Sequence, residues 1–323
     1  MPVGRFAPSP TGALHVGNLR TALLAWLLAR SNGAAFLLRV EDLDPATARP
    51  EHEAGQRADL AALGLDHDGP VVRQSDRRAA HAAALDTLVA AGLTYACWCS
   101  RREVQAATAA PHGRAAGGRY PGTCRELDAS GRRRRAEAAG RPPALRLRAG
   151  GEAVTVVDRF HGPVTAVVDD LVLRRGDGLV AYNLAVVVDD ADQGVEEVVR
   201  GDDLVAATPA QALLCRLLGL PAPAWAHVPL LLGPDGARLA KRNRFTVDGR
   251  DVRVATTVAD LRALGWGPPD VVGALAATLG LAPPGEPRWP GELLAGFDPA
   301  ALPRAPTTWA APVMRDGAGP AGS

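Results

Sequence analysis

At 323 residues the chain exceeds the usual size of a single domain, so one large domain or two smaller ones both fit. A hydrophobic fraction of 47% with only 4% aromatics supports a core built on Ala, Val and Leu, and a net charge of +1 leaves any nucleic-acid contact to a local basic face. Four cysteines make no disulfide framework, residues 1–5 lack a signal-peptide pattern and no apolar run approaches membrane-spanning length, so a soluble, cytoplasmic, monomeric protein without a membrane partner is expected.

Residues 3–7 read as a short strand running into Pro8-Ser9-Pro10-Thr11-Gly12, a loop made of turn residues. From 17 to 30 the apolar positions Leu19, Leu23, Leu24, Trp26, Leu27 and Leu28 are dense enough for a largely buried helix. A strand over 36–40 ends at the acidic cluster Glu41-Asp42-Leu43-Asp44, and helices are predicted over about 51–63 and 77–91. Strand, loop, helix, strand, helix is the opening of a parallel, nucleotide-binding α/β unit, whose first half is assigned to residues 1–94.

Residues 95–175 break that rhythm and read as an insertion. They hold a cysteine cluster, a loop rich in Ala, Gly and Arg, the run Arg132-Arg133-Arg134-Arg135, and β-like alternation over 145–148 and 164–168. The arginine run by itself is the pattern of a solvated face and assigns no function. The α/β pattern resumes over 176–247, with an apolar stretch at 181–188, a strand over 195–199, a helix over 209–218 and a strand over 227–232. Residues 248–308 read as a helical C-terminal region, and 309–323 as a Pro- and Gly-rich disordered tail.

Of the 36 basic residues only one, Lys241, is a lysine. A lone ammonium in an arginine-rich chain marks a place where a planar guanidinium cannot substitute. It follows a turn, within Pro234-Asp235-Gly236-Ala237-Arg238-Leu239-Ala240-Lys241-Arg242. Far upstream, Arg5-Phe6-Ala7-Pro8-Ser9-Pro10-Thr11-Gly12 leads to His15-Val16-Gly17-Asn18 at a predicted helix start. Gly17 leaves room for close approach to the backbone, and a helix N-terminus offers unpaired N–H groups to phosphates.

Together these segments resemble the catalytic domain of the class I aminoacyl-tRNA synthetases of the glutamyl/glutaminyl group. His15-Val16-Gly17-Asn18 is similar to that family's first ATP-binding signature, and Arg238-Leu239-Ala240-Lys241-Arg242 to its second. The match runs from about residue 3 to 247, and more loosely to about 308. The resemblance implies a Rossmann-like parallel nucleotide-binding domain with an inserted zinc-containing connective subdomain and a short helical C-terminal region. It also implies adenylation of glutamate by ATP with Mg2+, with His15 and Lys241 as the catalytic residues. ATP binding falls on Pro8, Thr11, Gly12, His15, Gly17, Asn18, Arg238, Leu239 and Lys241. The family usually has Ser where Ala240 stands and Lys where Arg238 stands, departures that remove a hydroxyl donor but keep the key cation.

Glutamate recognition can be read by charge. Arg5 and Arg200 suit a side-chain carboxylate, because Arg grips carboxylates bidentately, while Glu41 suits the ammonium. Ser9 and Tyr182 supply hydroxyls. By resemblance Arg5, Ala7, Ser9, Glu41, Tyr182 and Arg200 fall on the family's glutamate-binding positions.

Cys97, Cys99 and Cys124 lie within 28 residues of a cysteine-poor chain and suggest one structural Zn2+. For the fourth ligand His112 is the better donor by general chemistry. The pattern Cys-x-Cys…Tyr-x3-Cys resembles a branch of the family in which a tyrosine completes the site, which implies Tyr120. Cys215, inside an apolar helical stretch, reads as core. The same pattern, with 82 residues after Lys241, resembles the glutamyl-queuosine branch. Its members activate glutamate without RNA and esterify it to queuosine in the anticodon stem-loop of tRNA(Asp). A shortened synthetase charging the 3′ end of tRNA(Glu), or a binding paralogue without activity, are the other expectations.

Overall fold

The structure is a computed structural model and describes residues 3–109, 120–239, 244–247, 249–310 and 313–314. Lys241, Ala240 and His112 lie outside the described residues, as does most of the expected tail.

The first half runs β1 (Val3–Phe6), α1 (Val16–Ser31), β2 (Ala35–Val40), α2 (Pro50–Ala62), β3 (Val72–Arg73) and α3 (Arg78–Ala90). Helix α1 is apolar almost all round, which suits a helix covered on every side. It packs so closely on β1 that a Cβ at Gly4 would stand 3.1 Å from that of Ala29. Its one buried cation, Arg20, donates to Pro229 O (2.5 Å) and Thr278 Oγ1 (3.0 Å), and burial lowers its pKa to about 10.

The middle of the chain holds β4 (Thr94–Cys97), α4 (Arg101–Ala109), α5 (Ala129–Ala139), β5 (Ala144–Leu147), β6 (Ala153–Asp158), β7 (Gly162–Val167) and β8 (Val172–Arg174). Strands β4, β5 and β8 form a small antiparallel sheet in the order β4-β5-β8. The β6–β7 hairpin, which the sequence places in the insertion, instead extends the main sheet. Its inner strand joins there through the Trp225–Asp158 pairing, a tertiary contact that local alternation does not encode.

Then come α6 (Tyr182–Asp192), β9 (Glu197–Gly201), α7 (Thr208–Leu218), β10 (Ala224–Val228) and β11 (Leu231–Leu232). The seven-stranded sheet has the order β3-β2-β1-β9-β10-β6-β7, parallel throughout except for the last pair. Strand order reverses between β1 and β9, and crevices for ligands form at the carboxyl ends of strands beside such a switch point.

The last segment contains β12 (Arg244–Val247), β13 (Arg250–Val254), α8 (Val258–Ala263), α9 (Pro268–Thr278), α10 (Pro290–Leu293), β14 (Thr307–Thr308) and β15 (Val313–Met314). Its apolar residues share one core with α1 and the sheet. Val16 N–H donates to Thr256 O at 2.7 Å, which fastens this segment to the start of α1. Trp309, placed by sequence at the head of a disordered tail, is buried and donates through Nε1 to Ala255 O at 3.0 Å. A large apolar ring with a satisfied N–H holds that point of the chain down. No described helix is long and apolar enough to cross a membrane.

Candidate active site

The carboxyl ends of β1, β2, β9 and β10 open into a cavity of about 480 Å³. Its walls include every described residue of both predicted sets: Arg5, Ala7, Pro8, Ser9, Thr11, Gly12, His15, Gly17, Asn18, Glu41, Tyr182, Arg200, Arg238 and Leu239. Residues far apart in sequence meet here because each follows a neighbouring strand of the parallel sheet.

At one end stands the start of α1. The ring of His15 caps its own helix: Nδ1 accepts the backbone N–H groups of Gly17 (3.1 Å) and Asn18 (3.3 Å), while Asn18 Oδ1 accepts that of His15 (3.3 Å). The sequence reading offered those amides to phosphates, but they are engaged by the histidine. In a neutral ring the proton then sits on Nε2. Gly17 serves the same cap, since a Cβ there would stand 2.9 Å from His15 Cε1. The room it leaves is filled by the signature histidine itself.

The loop before the helix is set by Gln56 of α2, whose Nε2 donates to Ser9 O (3.0 Å) and Gly12 O (2.8 Å). Its buried Oε1 has no hydrogen-bond partner among the described residues, and Gln56 lines the cavity. On the far wall Arg238 is ion-paired with Asp203 at 2.6 Å, and Leu239 is buried.

The opposite end is a buried charge cluster. Arg5 donates through Nε to Asp190 (3.2 Å) and through Nη1 to Val199 O (3.1 Å). Arg39 reaches the same Asp190 oxygen at 2.7 Å and Glu41 at 3.4 Å. Asp190 is held below the usual carboxylate range: burial works against the charge, and Arg5 and Arg39 overcome it. Glu41 goes the other way, raised by burial against the pull of Arg39 and Arg5. Burial and the nearby Glu41 raise the Tyr182 phenol.

Arg200 differs from Arg5. Its guanidinium donates to His227 Nε2 (2.9 Å), Thr208 Oγ1 (2.9 Å) and Tyr182 Oη (3.4 Å), all neutral groups. Among the described residues it forms no ion pair, although it is only 6% exposed. Burial lowers its pKa, and the pull of Asp190, which is ion-paired with Arg5, does not offset it. The sequence treated the two arginines alike; the structure pairs one and leaves the other facing the cavity. Asp190, Arg39, His227, Thr208 and Gln56 were missed. Two of them had a signal, namely carboxylates and a histidine inside apolar runs, at Val188-Asp189-Asp190 and Ala226-His227-Val228.

Apart from this cavity, Cys97, Cys99 and Cys124 bring their sulfurs within 4.8 Å of one another, a group that could hold a metal ion. Tyr120 Oη lies 3.2 Å from Cys97 Sγ and 3.6 Å from Cys99 Sγ, and accepts the Cys124 N–H at 3.0 Å. Hydrogen bonds from Cys124 and Cys99 hold the Cys97 thiol well below its ordinary range. Arg146 donates to Cys97 Sγ at 3.3 Å and lies 3.9 Å over the Tyr120 ring.

Residues 3–277 match the family model described as tRNA synthetases class I (E and Q), catalytic domain. The chain belongs to that family. Its members are aminoacyl-tRNA synthetases, so the enzyme is a ligase. Similar curated proteins include the glutamyl-Q tRNA(Asp) synthetases of Nocardia farcinica (strain IFM 10152), 60% identical over 94% of this chain and 91% of that one, and of Symbiobacterium thermophilum, 49% identical over 94% of each. A solved glutamate tRNA ligase from Elizabethkingia meningosepticum, in complex with its amino acid, superimposes with a TM-score of 0.78 at 26% identity. That alignment covers 96% of this chain and 67% of the other.

Proposed function

We propose that the enzyme activates L-glutamate with ATP, without needing RNA, and transfers the glutamyl group to queuosine at the wobble position of tRNA(Asp). The observation that carries the choice of amino acid is Arg200, a buried cation whose hydrogen-bond partners among the described residues are all neutral, which calls for an anionic side chain. Glu41, across the cavity, suits the ammonium once ionised, and Arg5 completes the positive wall from its place on Asp190. The names of the similar proteins support the same substrate and the same tRNA.

In the first step a glutamate α-carboxylate oxygen attacks the α-phosphorus of ATP, and the bond to pyrophosphate breaks. The protein's share is positioning and charge stabilisation. His15 would donate through Nε2 to the nucleotide, Gln56 holds the loop against which it lies, and Lys241 would follow the departing pyrophosphate. Mg2+ bound with ATP would supply charge neutralisation of its phosphates. In the second step a hydroxyl of the queuosine cyclopentenediol attacks the glutamyl carbonyl and AMP leaves.

Cys97, Cys99, Cys124 and Tyr120 would hold one zinc. A tetrahedral ion with Zn–S near 2.3 Å sets sulfurs about 3.8 Å apart and sulfur to oxygen about 3.5 Å. The 3.7 Å between Cys99 and Cys124 and the 3.2–3.6 Å to the Tyr120 oxygen fit that set. Zinc there would be structural, tying β4 to the chain around residue 124.

The test is glutamate-dependent ATP–pyrophosphate exchange without RNA, followed by labelled glutamate on queuosine-containing and queuosine-free tRNA(Asp). Exchange without RNA and label on the modified tRNA alone is the expected result. Equal labelling of both, or label at the 3′ end, would refute the choice of acceptor.

A further inference from the structure

Behind Arg200, on the side away from the cavity, stands a chain of buried polar groups that the proposed chemistry does not use. Asp158 ends β6 and is 2% exposed; His227, on β10, is fully buried; Thr208, at the start of α7, is 1% exposed. Asp158 Oδ1 accepts the backbone N–H groups of Phe160 (2.9 Å) and His161 (3.0 Å). Its Oδ2 accepts the backbone N–H of His227 (3.1 Å) and the ring Nδ1–H (2.6 Å). With Nδ1 committed as a donor, Nε2 is left as a lone-pair acceptor, and Arg200 Nε–H donates to it at 2.9 Å. Thr208 Oγ1 accepts from Arg200 Nη2 at 2.9 Å and lies 3.2 Å from the same His227 nitrogen.

We infer that Asp158 and His227 form a buried relay that positions Arg200 for the side-chain carboxylate of the substrate; this rests on the glutamate reading above. The choice of a neutral acceptor decides what Arg200 can do. A carboxylate placed directly on it, as Asp190 is placed on Arg5, would satisfy its charge and compete with the ligand. An imidazole fixes Nε without neutralising the guanidinium. Thr208 fixes Nη2 in the same way, and Nη1, whose hydrogen bond among the described residues is a 3.4 Å contact to the Tyr182 hydroxyl, faces the site. The anion that stabilises the assembly stands one ring further back. Asp158 fixes the tautomer, since a ring protonated on Nε2 would set two donors against each other at 2.9 Å. His227 touches Arg200, Asp158 touches His227, and neither lines the cavity, so both are positioning residues.

The experiment measures steady-state ATP–pyrophosphate exchange in the full-length enzyme, with KM for glutamate and for ATP determined separately. The variants are His227→Leu, His227→Gln, Asp158→Asn and Thr208→Val, with thermal melts alongside. Loss of one buried, charge-assisted hydrogen bond predicts that His227→Leu raises KM for glutamate by about tenfold or more, with KM for ATP within about twofold. His227→Gln keeps an oxygen acceptor near the Nε2 position and is expected to recover most of the loss. Asp158→Asn offers an N–H where an acceptor is needed, favours the wrong tautomer and is expected to behave like His227→Leu. If His227→Leu does not fold, Thr208→Val, nearly isosteric, is expected to show the same glutamate-selective rise in smaller measure.

Glutamate-dependent exchange with an unchanged KM for glutamate in these variants overturns the relay alone. Equal rises in both KM values, or no recovery in His227→Gln, overturn it too, because a merely structural role predicts those results. A wild-type enzyme whose exchange does not depend on glutamate overturns both the relay and the function it rests on.

Discussion

Replacing Asp190 by Asn separates the architectural charges of the site from those facing the ligand. Asp190 sits on α6 with 7% side-chain exposure and holds Arg5 at 3.2 Å and Arg39 at 2.7 Å. At an effective dielectric of about 20, each contact has a gross attraction of about 5–6 kcal/mol. The cost of burying the carboxylate offsets much of that sum, and the Asn variant avoids that cost. It leaves two buried guanidinium groups with Glu41 beside them, and Arg39 with the weaker pull of Asp189. Breaking a buried pair by neutralising one member costs about 3–5 kcal/mol, and that is the loss expected here. For a chain with total stability of about 5–15 kcal/mol this is a large fraction. Urea unfolding followed by circular dichroism would read it as a lower midpoint at constant slope. Glu41 would then be drawn onto Arg39, 3.4 Å away, and released less readily to a substrate ammonium, so KM for glutamate is expected to rise. A loss below about 1 kcal/mol would refute the reasoning, because it would mean that Arg5 and Arg39 are stabilised by something other than Asp190.

The raised pKa of Glu41 gives a pH signature. If its ionised form binds the ammonium, KM for glutamate should climb as pH falls through that raised value, and Glu41→Gln should be weak at every pH and flat across the range. Gly17→Ala drives a Cβ to within 2.9 Å of the His15 ring, so the ring must shift from its capping place; about 1–2 kcal/mol of stability and most of the exchange rate should be lost. Unchanged exchange would mean that the capped ring is not the form that meets ATP. Purified protein should contain about one zinc per chain, absent after Cys97→Ser with Cys99→Ser, with a lower melting temperature; zinc retained in that variant would discard the ligand set.

Much of this site was legible in the sequence because its parts lie beside strand ends. A turn-rich loop after an apolar strand, a histidine at a helix start and a charged residue closing each of two strands are local patterns, and parallel pairing brings such ends together. What stayed hidden depends on partners across the fold. Nothing near Arg5 says that it meets a carboxylate 185 residues away, and nothing near Arg200 says that it meets an imidazole. Of the hairpin only the β7 stretch was read as β-like, and it was assigned to the insertion, because strand character is local whereas the choice of sheet rests on the contact of Asp158 with Trp225 and His227. The helix amides offered to phosphate are a lesson of the same kind. A helix start predicts free donors only until the side chain that caps it is known.

Those cross-fold contacts also explain why the site and the fold form together. Arg5 and Arg39 come from β1 and β2, before the small antiparallel sheet; Asp190, His227 and Arg200 come after it. Asp190 therefore pins the two halves across the point where strand order reverses, and it does so with the charges that shape one end of the cavity. Asp158, from the hairpin between the halves, fixes the ring that fixes Arg200. A half-assembled sheet would hold Arg5 without its anion and Arg200 without its acceptor, each an unpaired buried group that disfavours the partial structure. The cavity is thus complete only when the hairpin and both halves are in place, and the polar contacts around it are among those that tie the halves together.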